Sequence, residues 1–180
     1  MKINEFRIIF VGGVHGVGKS EFSNMVSHTL GISHLSASEL ISQQRKAPAA
    51  ISKRVQDVGG NQDALITAIE SHPIDGRKFI LDGHFCVFDS LGMIQKIPIE
   101  TFRKLAPVAV VVLLDEVDQI QERLRIRDKK NSQPELLKQL QNTEREHAEM
   151  VCSHLKIPMC LARSSEYERA IQFTTNHMNP

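Results

Sequence analysis

The stretch GVHGVGKS at residues 13–20 constrains this chain more than any other. Gly13, Gly18, Lys19 and Ser20 fill every fixed position of G-x-x-x-x-G-K-[ST], a loop whose backbone N–H groups cradle phosphates beside a lysine and a hydroxyl. The context fits. Residues 7–11 (RIIFV) read as a strand, and Phe22, Met25, Val26 and Leu30 recur at helical spacing just after the loop. A phosphate loop needs this strand–loop–helix order, because a helix N-terminus supplies unpaired N–H donors and a positive dipole end. The segment Gly13, Val14, His15, Gly16, Val17, Gly18, Lys19 and Ser20 is therefore read as a nucleotide-phosphate site, and ATP as its ligand.

Strand-like runs alternate with helical patterns along the rest of the chain. The strands are expected at 7–11, 34–38, 78–82, 108–115 and 156–162. Helices are expected at 19–30, 38–45, 49–70, 98–105, 117–128, 134–155 and 165–177. The run VAVVVLLD is unbroken and β-branched, as a strand buried on both faces of a parallel sheet requires. This alternation predicts an α/β fold of the P-loop NTPase kind: a doubly wound five-stranded parallel sheet with helices on both faces and a short lid. At 180 residues and 41% hydrophobic content, one domain spanning 1–180 is expected.

Ligands of such sheets sit beyond the carboxyl ends of the strands. Asp82 ends the third strand, where a carboxylate can hold Mg²⁺ opposite Ser20. His84 follows it and is a candidate contact for a second substrate. Asp115 and Asp118 follow the fourth strand and are read as helix caps. The segment from Glu122 to Lys130 concentrates cations at a helix end. Arg123 and Arg127 are four apart on one face, placed to stabilise charge on a transferring phosphoryl group.

Composition narrows the partners. Twenty-two basic residues against twenty-one acidic ones leave +1, which disfavours nucleic acid or an acidic membrane as a partner. No apolar run approaches the ~18 residues that span a bilayer, and the opening stretch is too apolar-poor for a signal peptide. Three cysteines without C-x-x-C spacing point to reduced thiols in a cytoplasmic protein. No guanine-reading N-K-x-D sequence occurs, and the chain is short for an AAA-type motor with an extra helical subdomain.

Taken in order, FVGGVHGVGKS, GISHLSASELI, RKAPAAISKRVQDVGG, KFILDGHF, IPIETFRKLAPVAVVVLLD and ERLRIRD resemble the archaeal-type adenylate kinases over about residues 6–150. His15 stands where that family has a loop proline, and the lid is shorter. The resemblance implies transfer from ATP to AMP with Mg²⁺, an acceptor-monophosphate region at 36–75 and a lid at 123–134. It also implies that Arg45 and Arg54 hold the acceptor, that Asp82 and His84 line the space between two nucleotides, and that Arg145 reaches back to the phosphates. Homo-oligomerisation is a further option the resemblance brings. Two other functions stay open: an ATPase or nucleotide-dependent switch, and a kinase of another small metabolite.

Overall fold

The structure, a computed structural model, describes residues 2–46, 58–72, 76–89, 91–128 and 133–179. Five strands form a parallel sheet in the order β2-β3-β1-β6-β7: β1 (Arg7–Gly12), β2 (Ser33–Ser36), β3 (Lys78–Asp82), β6 (Ala109–Leu113) and β7 (Met159–Ala162). The helices are α1 (Lys19–Leu30), α2 (Ala37–Lys46), α3 (Val58–Ser71), α4 (Ile99–Leu105), α5 (Val117–Asp128), α6 (Pro134–Leu155) and α7 (Tyr167–Met178). The expected α/β sheet is present, with β1 at its centre.

Strand side chains alternate between two separate cores, as a sheet covered on both faces demands. Ile8, Phe10, Phe79, Leu81, Val110 and Val112 face one way, against Leu65 and Ile69 of α3, Phe102 of α4 and Val151 of α6. Ile9, Val11, Ile80, Val111 and Leu113 face the other, against Phe22 and Val26 of α1, Ile120 of α5 and Ala170 of α7. The continuous apolar run around residue 110 is thus explained: β6 is buried along its whole length.

Some boundaries differ from expectation. The last strand begins at Met159, because Lys156 takes a left-handed conformation (φ +56°) and its N–H caps α6 at the Cys152 and Ser153 carbonyls. Residues 49–57 of the long expected helix lie outside the described residues, and α3 is described from Val58. A two-stranded antiparallel hairpin, β4 (Cys86–Phe88) with β5 (Ile94–Lys96), was not expected. Its strands are three residues each, too short for a legible alternation. The turn is held by the Asp89 side chain, whose Oδ1 accepts from the Leu91 and Met93 N–H groups at 2.9 Å each.

Candidate active site

The loop between β1 and α1 is shaped by positions that tolerate only glycine. Gly18 sits at φ +106°, and a Cβ there would lie 2.6 Å from the Tyr167 hydroxyl. Gly13 sits at φ +144°, where a Cβ would lie 2.8 Å from the Leu113 carbonyl oxygen of β6. The N-terminus of α1 opens directly from this loop, so its first N–H groups and dipole face the same space.

Lys19 is buried, and its ammonium curls back into the loop, donating to the carbonyls of Gly13 (2.8 Å) and Val14 (3.0 Å). Burial lowers its pKa from the ordinary lysine range; the nearby charges of Glu144 and Asp82 oppose that shift without cancelling it. Ser20 is exposed in the first turn of α1.

Asp82 ends β3, paired in register with Val11 of β1, and is buried. Its Oδ2 hydrogen-bonds His34 Nε2 at 2.7 Å, and His34 Nδ1 in turn meets Asn24 Oδ1 at 2.9 Å. His34 orients the carboxylate that sequence reading placed at the site, and it was missed because it lies in a short, polar strand. His84 follows, its ring 5.0 Å from that of His15. Burial first, then the positive charge of Lys19, holds His84 well below the usual histidine pKa, so the ring is neutral at pH 7.

Arg123 does reach the loop. Its Nη1 points at the carbonyls of Gly16 (3.3 Å) and Val17 (3.5 Å), and Nη2 donates to Asp115 Oδ2 at 2.6 Å. Asp115 is thereby corrected from a helix cap to the partner of Arg123. Gln141 fixes it further, accepting from the Asp115 N–H (3.1 Å) and donating to the Asp115 carbonyl (2.9 Å). Arg127, one turn on, is exposed and near enough to Lys19 for its charge to be felt there.

Arg145 is half-exposed on α6, its Nε 3.8 Å from Glu149 Oε1. The neighbouring Glu144 points inward and is fully buried. Its Oε1 accepts from the Gly13 N–H (3.0 Å) and the Phe85 N–H (2.8 Å), and Oε2 from the Cys86 N–H (2.5 Å). Burial raises its carboxyl pKa above the ordinary range against those bonds. One signal could have found it: Leu137, Leu140, Glu144, His147, Ala148 and Val151 form one buried stripe, so a carboxylate sits on an apolar face. Of the remaining candidates, Arg45 falls in α2 with its side chain outside the described residues, and Arg54 lies outside them altogether.

A cleft of about 760 Å³ opens beside the loop at the carboxyl ends of the strands. His15, Asp82 and His84 line it, with an apolar wall that includes Phe10, Ile41, Phe88, Phe102 and Leu137. Among the described residues no cluster of three His, Cys, Asp or Glu side chains is built to hold a metal. Mg²⁺ in nucleotide sites takes one or two protein oxygens and completes its shell with phosphates and water, so Ser20 and Asp82 fit as a partial donor set.

Residues 12–141 match the family described as AAA domain. The chain belongs to this family. Past the matched stretch it finishes α6 and supplies β7, the edge strand beside β6, and α7. No curated protein matches the chain at the level required. Among solved structures it is similar to a shikimate kinase from Acinetobacter baumannii in complex with shikimate, with TM-score 0.63 and 15% identity over 97% of this chain and 96% of that one. It is also similar to a gluconokinase from Sinorhizobium meliloti 1021, with TM-score 0.55 and 14% identity over 99% and 93%. These likenesses show that the chain shares the α/β fold of those two proteins. Among the described residues no helix is long and apolar enough to cross a membrane.

Proposed function

We propose that this protein transfers the γ-phosphoryl group of ATP to a small acceptor in the cleft, and that a nucleoside monophosphate, AMP first, is that acceptor. The observation that carries the reading is the junction of two half-sites. A phosphate loop with Lys19 and Arg123 on its rim opens onto a cleft whose wall holds Asp82 and His84.

The chemistry asks for positioning and charge more than for covalent steps. The α1 N-terminus and loop N–H groups hold the donor phosphates. Lys19, a compact charge on a flexible stem, follows the β- and γ-oxygens as charge shifts between them. Arg123 and Arg127 stabilise the developing charge from α5. Ser20 and Asp82 would hold Mg²⁺, whose charge would offset part of the negative charge on the phosphates. His84, neutral, lines the acceptor side without adding a competing cation. The lid read at 123–134, of which residues 129–132 lie outside the described residues, would keep out water that competes with the acceptor. The acceptor-reading region at 36–75, with Arg45 and Arg54, supplies cations for a phosphorylated acceptor. The three cysteines are free and buried, which suits work in the cytoplasm.

A second reading has its own observation. Asp82 is held by His34, and much of the cleft wall is apolar. A carboxylate so oriented suits proton removal from a hydroxyl, which an anionic phosphate acceptor does not need. Transfer assays with ATP labelled in the γ-phosphate decide among the readings. Label should appear in ADP when AMP is the acceptor, and in a phosphate ester when the acceptor is an alcohol. Release of label only as inorganic phosphate, whatever acceptor is added, would sink the kinase reading in favour of an ATPase or switch.

A further inference from the structure

Glu144 touches both halves of the site. Gly13 opens the phosphate loop, while Phe85 and Cys86 lead from the Asp82–His84 turn into β4. Cys86, Val87 and Phe88 of that strand line the cleft. One fully buried carboxyl group accepts N–H bonds from both segments, although they lie about seventy residues apart in sequence.

We propose that Glu144 is a positioning residue that ties the donor-phosphate loop to the acceptor-side turn, so that nucleotide in one is felt in the other. The proposal rests on the loop being a nucleotide site, but not on the identity of the acceptor. Three donors converge on two oxygens, a demand that only a carboxylate meets. A glutamine side chain presents one oxygen and an NH₂ group, and the NH₂ would confront one of the backbone donors. Because the site is buried, that donor would be left without an acceptor and the node would loosen. The Gly13 N–H is also committed to Glu144, which leaves the later N–H groups of the loop to the phosphates. Lys19 on α1, His84 in the turn, whose Nδ1 is 4.0 Å from Oε1, and the Cys86 thiol on β4 face the same carboxylate. Binding that reshapes the loop therefore acts on a shared hydrogen-bond node.

The test is hydrogen exchange of the full chain with and without Mg²⁺ and a non-hydrolysable ATP analogue. In the wild type, the analogue should slow exchange in the segment 84–88 by about fivefold or more. In Glu144→Gln that slowing should disappear while the analogue still binds within about tenfold of wild type, since most loop donors remain. Should Glu144→Gln fail to fold, Glu144→Asp serves instead: it keeps the charge but is too short to span all three donors. The proposal is overturned if either folded variant transmits the slowing as the wild type does. In that case the link runs through the Phe85 ring, which packs so close to Gly12 that a Cβ there would lie 2.6 Å away. It is equally overturned if the wild type binds the analogue and segment 84–88 does not respond. Failure of the wild type to bind the analogue at all is a different result, and it removes the nucleotide site together with this proposal.

Discussion

Arg123 Nη2 donates to Asp115 Oδ2 at 2.6 Å while Nη1 of the same guanidinium points at the Gly16 carbonyl 3.3 Å away. Asp115, clamped at its backbone by Gln141, thus aims an arginine from α5 at the phosphate loop. Asp115→Asn keeps the shape and removes the charge that orients the guanidinium. Turnover should fall by about tenfold, as expected for weakening one charge-assisted hydrogen bond. Arg123→Ala should cost more, and it should also lower the thermal midpoint, because the largely buried Asp115 carboxylate loses its partner. Steady-state kinetics against ATP checks this, and wild-type kcat in both variants would remove Arg123 from the mechanism.

The loop geometry carries its own stability prediction. Gly13→Ala forces a side chain into φ +144° and against the Leu113 carbonyl, 2.8 Å from where the Cβ would lie. The variant should lose about 1–3 kcal/mol, the usual cost of a residue held in a forbidden backbone region. Urea unfolding measures it. An unchanged midpoint would mean that the loop relaxes freely.

His84 gives a pH signature. Its imidazole is held well below the ordinary value by burial and by Lys19, whereas the unfolded chain titrates near 6.5. Between those two values the unfolded state binds more protons than the folded one. Stability contributed by the neutral ring is therefore present above about 6.5 and is lost as the pH falls below it. NMR of the imidazole should find His84 still neutral at pH 6. A titration midpoint at or above the ordinary histidine value contradicts the packing described for this turn.

Burial pushes the Cys86 thiol up to about 12, with Glu144 adding to the shift, and the Cys152 thiol up to about 11. The Cys160 thiol is raised by burial as well. Since the thiolate is the reactive form, all three should resist a thiol reagent at pH 8 and react fully once denaturant is added. One fast equivalent in the native protein would show that a cysteine is accessible.

Much of the sheet was legible because its signals are long and redundant. Residues 8–11, 79–81 and 109–113 are runs of apolar side chains that no exposed strand would carry, and the phosphate loop fills every fixed position of its pattern. What stayed hidden depends on single long-range contacts. Asp115 resembles a helix cap because nothing local reveals that Arg123 folds back onto it. His34 lies in a four-residue polar strand, and only the β2–β3 register brings it to Asp82. Glu144 and Arg145 are neighbours, yet about 100° of helical rotation separates a fully buried carboxylate from a half-exposed arginine. The β4–β5 hairpin is too short to show a period, and its turn is tied by Asp89 through both side chain and backbone.

The central claim is that phosphoryl transfer takes place at the loop of Gly13–Ser20, and Lys19→Ala tests it most directly. Gly13 and Gly18 shape the loop, so the variant should fold, and the backbone N–H groups should still bind ATP with modest loss. Transfer of the γ-phosphoryl group to acceptor should fall by about a hundredfold or more, the scale of losing one strong electrostatic contact at a developing charge. Transfer within about threefold of wild type, on that same scale, would place the chemistry elsewhere and contradict the account.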